Sequence, residues 1–192
     1  MPPRVKNAAA TRDAILASAR ARFLQESYEN VGLREIAGDV GVDVALIGRY
    51  FGSKEELFKE VLRAGKKQDW LDPSVPAADL PAYLASLATE EDDADRRKHS
   101  EGLLIMLRSA SSPKAAEVIR QALREDVLEP LAAMLPGPDA DVRSSMALSI
   151  FFGTTVMRTI MAVQPLCQCD SGAFRQNFQR LLEAALTGDT PA

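Results

Sequence analysis

Residues 31 to 58, VGLREIAGDVGVDVALIGRYFGSKEELF, constrain this chain more than any other stretch. Leu33, Ile36, Ala37 and Val40 fall at i, i+3, i+4 and i+7, the spacing of one apolar stripe on a two-turn helix. Gly41 then offers the positive φ that a sharp helix exit requires. Asp43 is placed to cap a second short helix, from which Leu46, Ile47 and Phe51 turn inward and which Gly52 closes. Ser53-Lys54-Glu55-Glu56 reads as a capping box for a third helix, continued by Leu57, Phe58, Val61 and Leu62. So many agreeing starts and stops leave one solution: two short helices across a glycine turn, followed by a capped third.

That is the layout of a helix-turn-helix DNA reader, in which the second helix enters the major groove and the first braces it. A groove-facing helix needs small or hydrogen-bonding residues outside and apolar ones inside. Asp43, Val44, Ala45, Gly48 and Arg49 form the expected outward set. Arg49 is the long donor able to reach a guanine edge or a phosphate, and Tyr50 offers a hydroxyl. Lys54 falls in the first turn of its helix, where a cation opposes the helix dipole; contact with a phosphate would account for it. Taken singly, Arg49 and Lys54 are ordinary solvated charges. The framework around them makes contact the better reading.

With these residues in view, the N-terminal part resembles the tetracycline-repressor (TetR) family of transcription regulators. The resemblance begins with TRDAILASARARFLQESY, where Ile15, Leu16, Ala19 and Phe23 form the core-facing stripe before Tyr28. It continues through REIAGDVGV and ends in RYFGSKEELF, covering roughly residues 8 to 65. The remainder resembles the family's C-terminal domain more loosely. What this implies is an all-α protein with a helix-turn-helix DNA-binding domain over residues 1–67 and a helical ligand-binding and dimerisation domain over 68–192. Two positions depart from the family pattern. Gly32 stands where members usually carry Ser or Thr, and contributes no side-chain contact to phosphate. Gly48 stands where they usually carry Tyr, and loosens the recognition helix by about 1 kcal/mol relative to Ala. Base reading then leans on Arg49, on Arg34 at the start of the bracing helix, and on apolar contacts from Val44 and Ala45 to thymine methyls.

The net charge of −4 looks wrong for a DNA binder until it is divided. Residues 1 to 67 hold twelve Lys or Arg against nine Asp or Glu, so +3, whereas the remainder carries −7. A basic head on an acidic body aims the correct end at phosphate. Arg4, Lys6 and Arg12 are candidates for added backbone or minor-groove contacts.

Beyond Gly65 the sequence stays helical, with WLDPSVP (residues 70 to 76) as the clearest linker. Ser112-Pro113 restarts a helix, and Pro130 should interrupt it. Asp139 should cap a helix running to about Val163, and Ser171 a last one through Leu186. The first of these carries apolar residues around more than one face, which implies a second buried surface. With the last helix it would form half of an intermolecular four-helix bundle, the way the family pairs. Ile150, Thr154, Met161, Phe174, Phe178 and Leu181 are the residues assigned to that dimer interface. A bundle closed within one chain is the alternative. The resemblance also implies an apolar effector pocket, to which Trp70, Tyr83, Met106, Phe151 and Met157 are assigned, with Arg108 as polar anchor. Methionines and aromatics at helical spacing are, taken singly, ordinary core.

Other classes find little support. The chain has one histidine, His99, and no Walker loop, dinucleotide fingerprint or nucleophile elbow, so no enzyme activity, cofactor or metal is expected. Cys167 and Cys169 form a C-x-C that lacks two further soft ligands in the sequence nearby, and the acidic run from Glu90 to Asp95 lacks the spacing of a calcium loop. There is no secretory signal and no membrane span, which points to the cytoplasm. The expectation is a homodimeric repressor that binds an inverted-repeat operator in double-stranded DNA and is released by a small-molecule effector. Two rivals stand beside it: a helical dimer whose head, weakened by Gly32 and Gly48, acts through a protein partner instead, and a helical-bundle enzyme or metal protein centred on Cys167, Cys169 and His99.

Overall fold

The computed structural model describes residues 4–64, 71–89 and 93–188, with backbone only for 4–7 and 93–99. Trp70 and Glu90 lie outside the described residues, as do the side chains of Arg4, Lys6, Asp95 and His99. Among the described residues there is no strand, and no helix is long and apolar enough to cross a membrane. The chain divides into two compact units, Met1–Lys66 with Leu104–Ala122, and Lys67–Leu103 with Leu123–Ala192.

The first unit holds α1 (Arg4–Gln25), α2 (Leu33–Val40), α3 (Val44–Phe51) and α4 (Lys54–Ala64), together with the end of α6 (Asp93–Ser109) and most of α7 (Pro113–Leu123). Its core is the stripe read from sequence: Ile15, Ala19 and Phe23 of α1 are fully buried, as are Ile36, Leu57, Phe58 and Val61. Leu16 remains half-exposed beside them. Phe23, Tyr28 and Phe58 pack as an aromatic trio, with Phe58 edge-on to the other two at centroid distances of 4.9 and 5.1 Å. Burial of each such ring is worth about 1.5–3 kcal/mol, so this trio sets the angle at which α4 leaves the turn region.

In the second unit α11 (Ser171–Thr187) packs on α5 (Leu80–Thr89) and on α9 (Ala140–Thr155). Leu80, Leu84, Ala147, Phe174, Phe178 and Leu182 make its centre. Pro130 does interrupt its helix. Because proline offers no N–H, the ladder slips to i→i+5 spacing over Arg124–Leu128, where the Glu129 N–H donates to the Arg124 carbonyl, and α8 (Glu129–Ala133) follows. Three expectations need correction. Ser171 is the first residue of α11 and not its cap; the cap is Asp170, whose carboxylate accepts from the Ala173 N–H at 2.9 Å. Asp139 precedes α9 in a left-handed conformation and makes no side-chain cap bond. The helix after it widens to a π turn over Val156–Ile160 and stops before Val163, which opens the short α10 (Gln164–Gln168).

Arg143 was not singled out in the sequence. Its guanidinium donates to the carbonyls of Pro136 and Pro138, and at 2.6 Å to that of Leu186. It thereby ties the PGPD turn to the end of α11, satisfying a carbonyl that the helix leaves without an intrahelical partner.

Candidate nucleic-acid interface

α2 starts at Gly32, where the Glu35 carboxylate accepts from the Gly32 N–H at 2.9 Å. Glycine supplies no oxygen for the reciprocal bond, so half of a capping box is present. The helix ends as the pattern required: Gly41 has φ 71°, and the Val42 N–H donates back to the Ala37 carbonyl at 3.0 Å. Asp43 caps α3, accepting from the Ala45 N–H at 2.8 Å, and Gly52 closes it with φ 83°. The Ser53 hydroxyl then accepts from the Glu56 N–H at 3.1 Å to start α4.

These caps fix which side of α3 is outside. Ile47 and Phe51 are buried and Leu46 is half-buried, while Asp43, Val44, Ala45, Gly48 and Arg49 are exposed. The outward set predicted from sequence therefore lies on one face. Arg34 is exposed at the start of α2. Tyr50 is half-buried, its ring tilted against Phe51 at 6.4 Å. Lys54 does not project freely: its ammonium lies 4.3 Å from the centre of the Tyr28 ring. Burial lowers its pKa, against the pull of the Glu29 and Glu55 carboxylates. Burial likewise pushes the Tyr28 phenol up, with the Glu55 and Glu29 charges adding to it.

Arg12 proves to be scaffold. Its guanidinium pairs with Glu60 and stacks over Phe51 at 4.8 Å, fastening α1 to both α3 and α4. A second clamp holds the bracing helix: Arg22 bonds both oxygens of Asp39, at 2.6 and 2.7 Å, and the Ser18 hydroxyl adds a bond at 2.8 Å. These partners hold the Asp39 carboxyl down at about 2.

The α6–α7 turn grips the same head, and nothing in the sequence announced it. Arg108, expected to anchor an effector, donates instead to the Gln25 carbonyl at the end of α1, at 2.7 Å. The buried Ser109 hydroxyl accepts from the Tyr28 N–H at 3.2 Å. Ser112 hydrogen-bonds the Glu29 carboxylate while capping α7 through the Ala115 N–H. Ser109 and Ser112 are both buried, and buried hydroxyls need partners, which these bonds supply.

The remaining assigned residues fall elsewhere. Met106 is half-buried in the head's unit with Arg108, while Tyr83, Phe151 and Met157 belong to the second unit. Tyr83 and Phe151 line its core, and the Tyr83 hydroxyl accepts from the Asp72 N–H at 3.3 Å. An open cleft of about 470 Å³ in that unit is lined by Leu71, Pro73, Val75, Pro130, Ala133 and Met134, none of which was assigned to the pocket. Of the six residues assigned to an interface, Phe174 and Phe178 are buried within the chain itself, stacked on each other at 5.6 Å, and so have almost no surface to offer a partner. Ile150 and Thr154 are half-buried; Met161 and Leu181 are exposed. Among the described residues no cluster of His, Cys, Asp and Glu is built to hold a metal. The Cys167 and Cys169 thiols donate to the Arg158 and Leu166 carbonyls.

Two sequence families match the chain. Bacterial regulatory proteins of the tetR family match residues 15–61, and the tetracyclin repressor-like C-terminal domain matches residues 79–186. No curated protein matches. Among solved structures, a TetR-family regulator from Streptomyces coelicolor A3 is 26% identical, with 97% of this chain and 98% of that one covered at a TM-score of 0.52. NalD, the secondary repressor of the MexAB-OprM multidrug efflux pump in Pseudomonas aeruginosa, is 20% identical over 95% and 97% of the two chains, with a TM-score of 0.66. SmeT in complex with triclosan is 23% identical over 93% and 91%, with a TM-score of 0.59. At these last two identities the likeness is one of fold.

Proposed function

The chain belongs to the TetR family of transcriptional regulators, DNA-binding proteins rather than enzymes, and from that premise we propose that it is a repressor which binds an inverted-repeat operator as a homodimer and lets go when a small molecule binds. The observation that carries this reading is α3. Its outer face is small, exposed and flanked by Arg49, while its inner face is locked by Ile47 and Phe51. Arg49 and Arg34 are assigned the reach to base edges and phosphates, with Asp43, Val44, Ala45, Gly48 and Tyr50 forming the surface between them. Lys54, folded over Tyr28, contributes its charge to the rim.

Pairing is assigned to the exposed stripe of α9 and α11. Val142, Met146, Met157, Met161 and Leu181 are between 41 and 64% exposed, a run of large apolar side chains that water covers poorly. Exposed Gly153 allows close approach midway along it, and Ile150 and Thr154 border it. Two heads held apart in this way would meet half-sites about one DNA turn, ~35 Å, apart. The effector is inferred to be small and apolar. In support, the second unit offers Tyr83 and Phe151 and an apolar cleft, and SmeT, similar in fold, is seen with triclosan. Trp70, outside the described residues, and Met106, in the head's unit, are candidates on sequence grounds alone. The chain passes between the units three times, after Lys66, Leu103 and Ala122, so effector binding has covalent routes to the head through α4, α6 and α7. We place the protein in the cytoplasm, where the operator is.

The test is selection of bound duplexes from a random DNA library at moderate salt. Enrichment of an inverted repeat with fixed half-site spacing, lost in Arg49→Ala, supports the reading. Binding that tracks salt alone would refute it and leave the head with phosphate attraction only.

A further inference from the structure

The first turn of α3 is the part of a recognition helix that contacts base edges. Here the one polar side chain, that of the cap Asp43, is engaged with the Ala45 N–H. Further along, Tyr50 lies half-buried against Phe51, and Lys54 of α4 is drawn over Tyr28. What faces outward at this end is hydrocarbon: Val44, 37% exposed, Ala45, and Gly48 one turn later on the same face. Apart from its chain neighbours and the backbone of α3 itself, no atom of the described residues lies within 4 Å of where a Gly48 side chain would begin, so no other part of the head stands over the helix there. Arg49, in the last turn, is the exposed side chain of α3 itself that carries hydrogen-bond donors.

In the major groove of B-DNA the only apolar group on a base edge is the thymine 5-methyl. Resting on the DNA-reading role given above, we propose that Val44 and Ala45 select sequence by covering thymine methyls, with Gly48 letting the helix approach closely enough to make the contact. The head is thus a methyl reader assisted by Arg49 and Arg34, and 5-methylcytosine would satisfy it at the same positions because it carries the same methyl.

Uracil isolates this contact, since it differs from thymine by that methyl alone. Parallel selections are run on random duplexes synthesised with thymine and with uracil, followed by single thymine-to-uracil replacements in the duplex recovered from the thymine library. One or two thymines in each half-site should lose about fourfold in affinity on replacement, the worth of one covered methyl. At those positions a C·G pair should bind more weakly than a 5-methyl-C·G pair by a similar factor. The double variant V44S/A45S, altered only on the exposed face, should bind thymine and uracil duplexes alike. Enrichment of one sequence that binds equally well with uracil would overturn the methyl reading while leaving sequence-specific DNA binding intact. A thymine preference that survives in V44S/A45S would also overturn it, by assigning the effect to DNA stiffness. Enrichment from neither library would remove the DNA-reading role, and this inference with it.

Discussion

Replacing Gly48 with alanine should stabilise the fold and weaken DNA binding at once. Gly48 lies inside α3, is exposed, and has no left-handed backbone that glycine alone could adopt. Beyond its chain neighbours and the backbone of α3 itself, a Cβ placed there meets no atom of the described residues within 4 Å, so the methyl costs nothing in packing. What remains is the backbone entropy that glycine loses in a helix, and alanine recovers about 0.8–1 kcal/mol of it. For a chain of this size that is about 2–4 °C in Tm, or a higher urea midpoint at unchanged slope. With α3 approaching the groove as proposed, the same methyl would stand between the helix and the groove floor, and the dissociation constant should rise on the order of tenfold, equivalent to about 1.4 kcal/mol. Circular dichroism in urea and fluorescence anisotropy on the selected duplex read the two effects separately. Gly38→Ala is the matched control, an exposed position of α2 where a Cβ also meets nothing, and should give a similar gain in stability. Gly52→Ala should go the other way by about 1–2 kcal/mol, because φ there is 83°. A Gly48→Ala protein that gains stability but binds DNA as tightly as before would refute the close approach of α3. Loss of stability would refute the open-face argument itself.

Other outcomes follow from the same contacts. Asp39 is held at about 2 against an ordinary 3.8, so the stability its ion pair with Arg22 contributes is full above about pH 4 and lost as pH falls through about 2. Urea midpoints of wild type and Asp39→Asn should therefore differ at pH 5 and converge toward pH 2; a constant difference would mean that the pair is not the cause. Asp43→Ala removes the cap of α3 and should cost about 1 kcal/mol, with Asp43→Asn retaining most of it. Ser112→Ala strips both the α7 cap and the partner of Glu29; amide exchange should speed up at the start of α7, and unchanged protection there would show the clasp to be idle. Met146→Glu with Leu181→Glu should shift sedimentation toward monomer without lowering helicity, and an unaltered dimer would move the interface elsewhere.

The helix-turn-helix was legible residue by residue because its determinants are short-range. Asp43 reaches the Ala45 N–H two residues away, Gly41 turns the chain where it stands, and the spacing of Ile36 and Ala37 decides which face is buried. A capping bond or an apolar stripe is complete within one or two turns, so a reading of neighbours suffices. The fate of longer side chains was not legible in this way. Lys54 and Arg12 look like free cations in a basic head, yet one lies over Tyr28 and the other binds Glu60, 48 residues on. Phe174 and Phe178 carry the pattern of an interface and of a core equally well; their packing against each other, and of Phe178 on Phe151, within the one chain decides for the core. Arg108 bonds a carbonyl 83 residues earlier, and Arg143 one 43 residues later. Such partners are chosen by which surfaces meet once hydrophobic burial has brought the helices together, and burial is non-directional. A chain can therefore spell out its helices and its caps, while the identity of each distant partner appears only when the helices have packed.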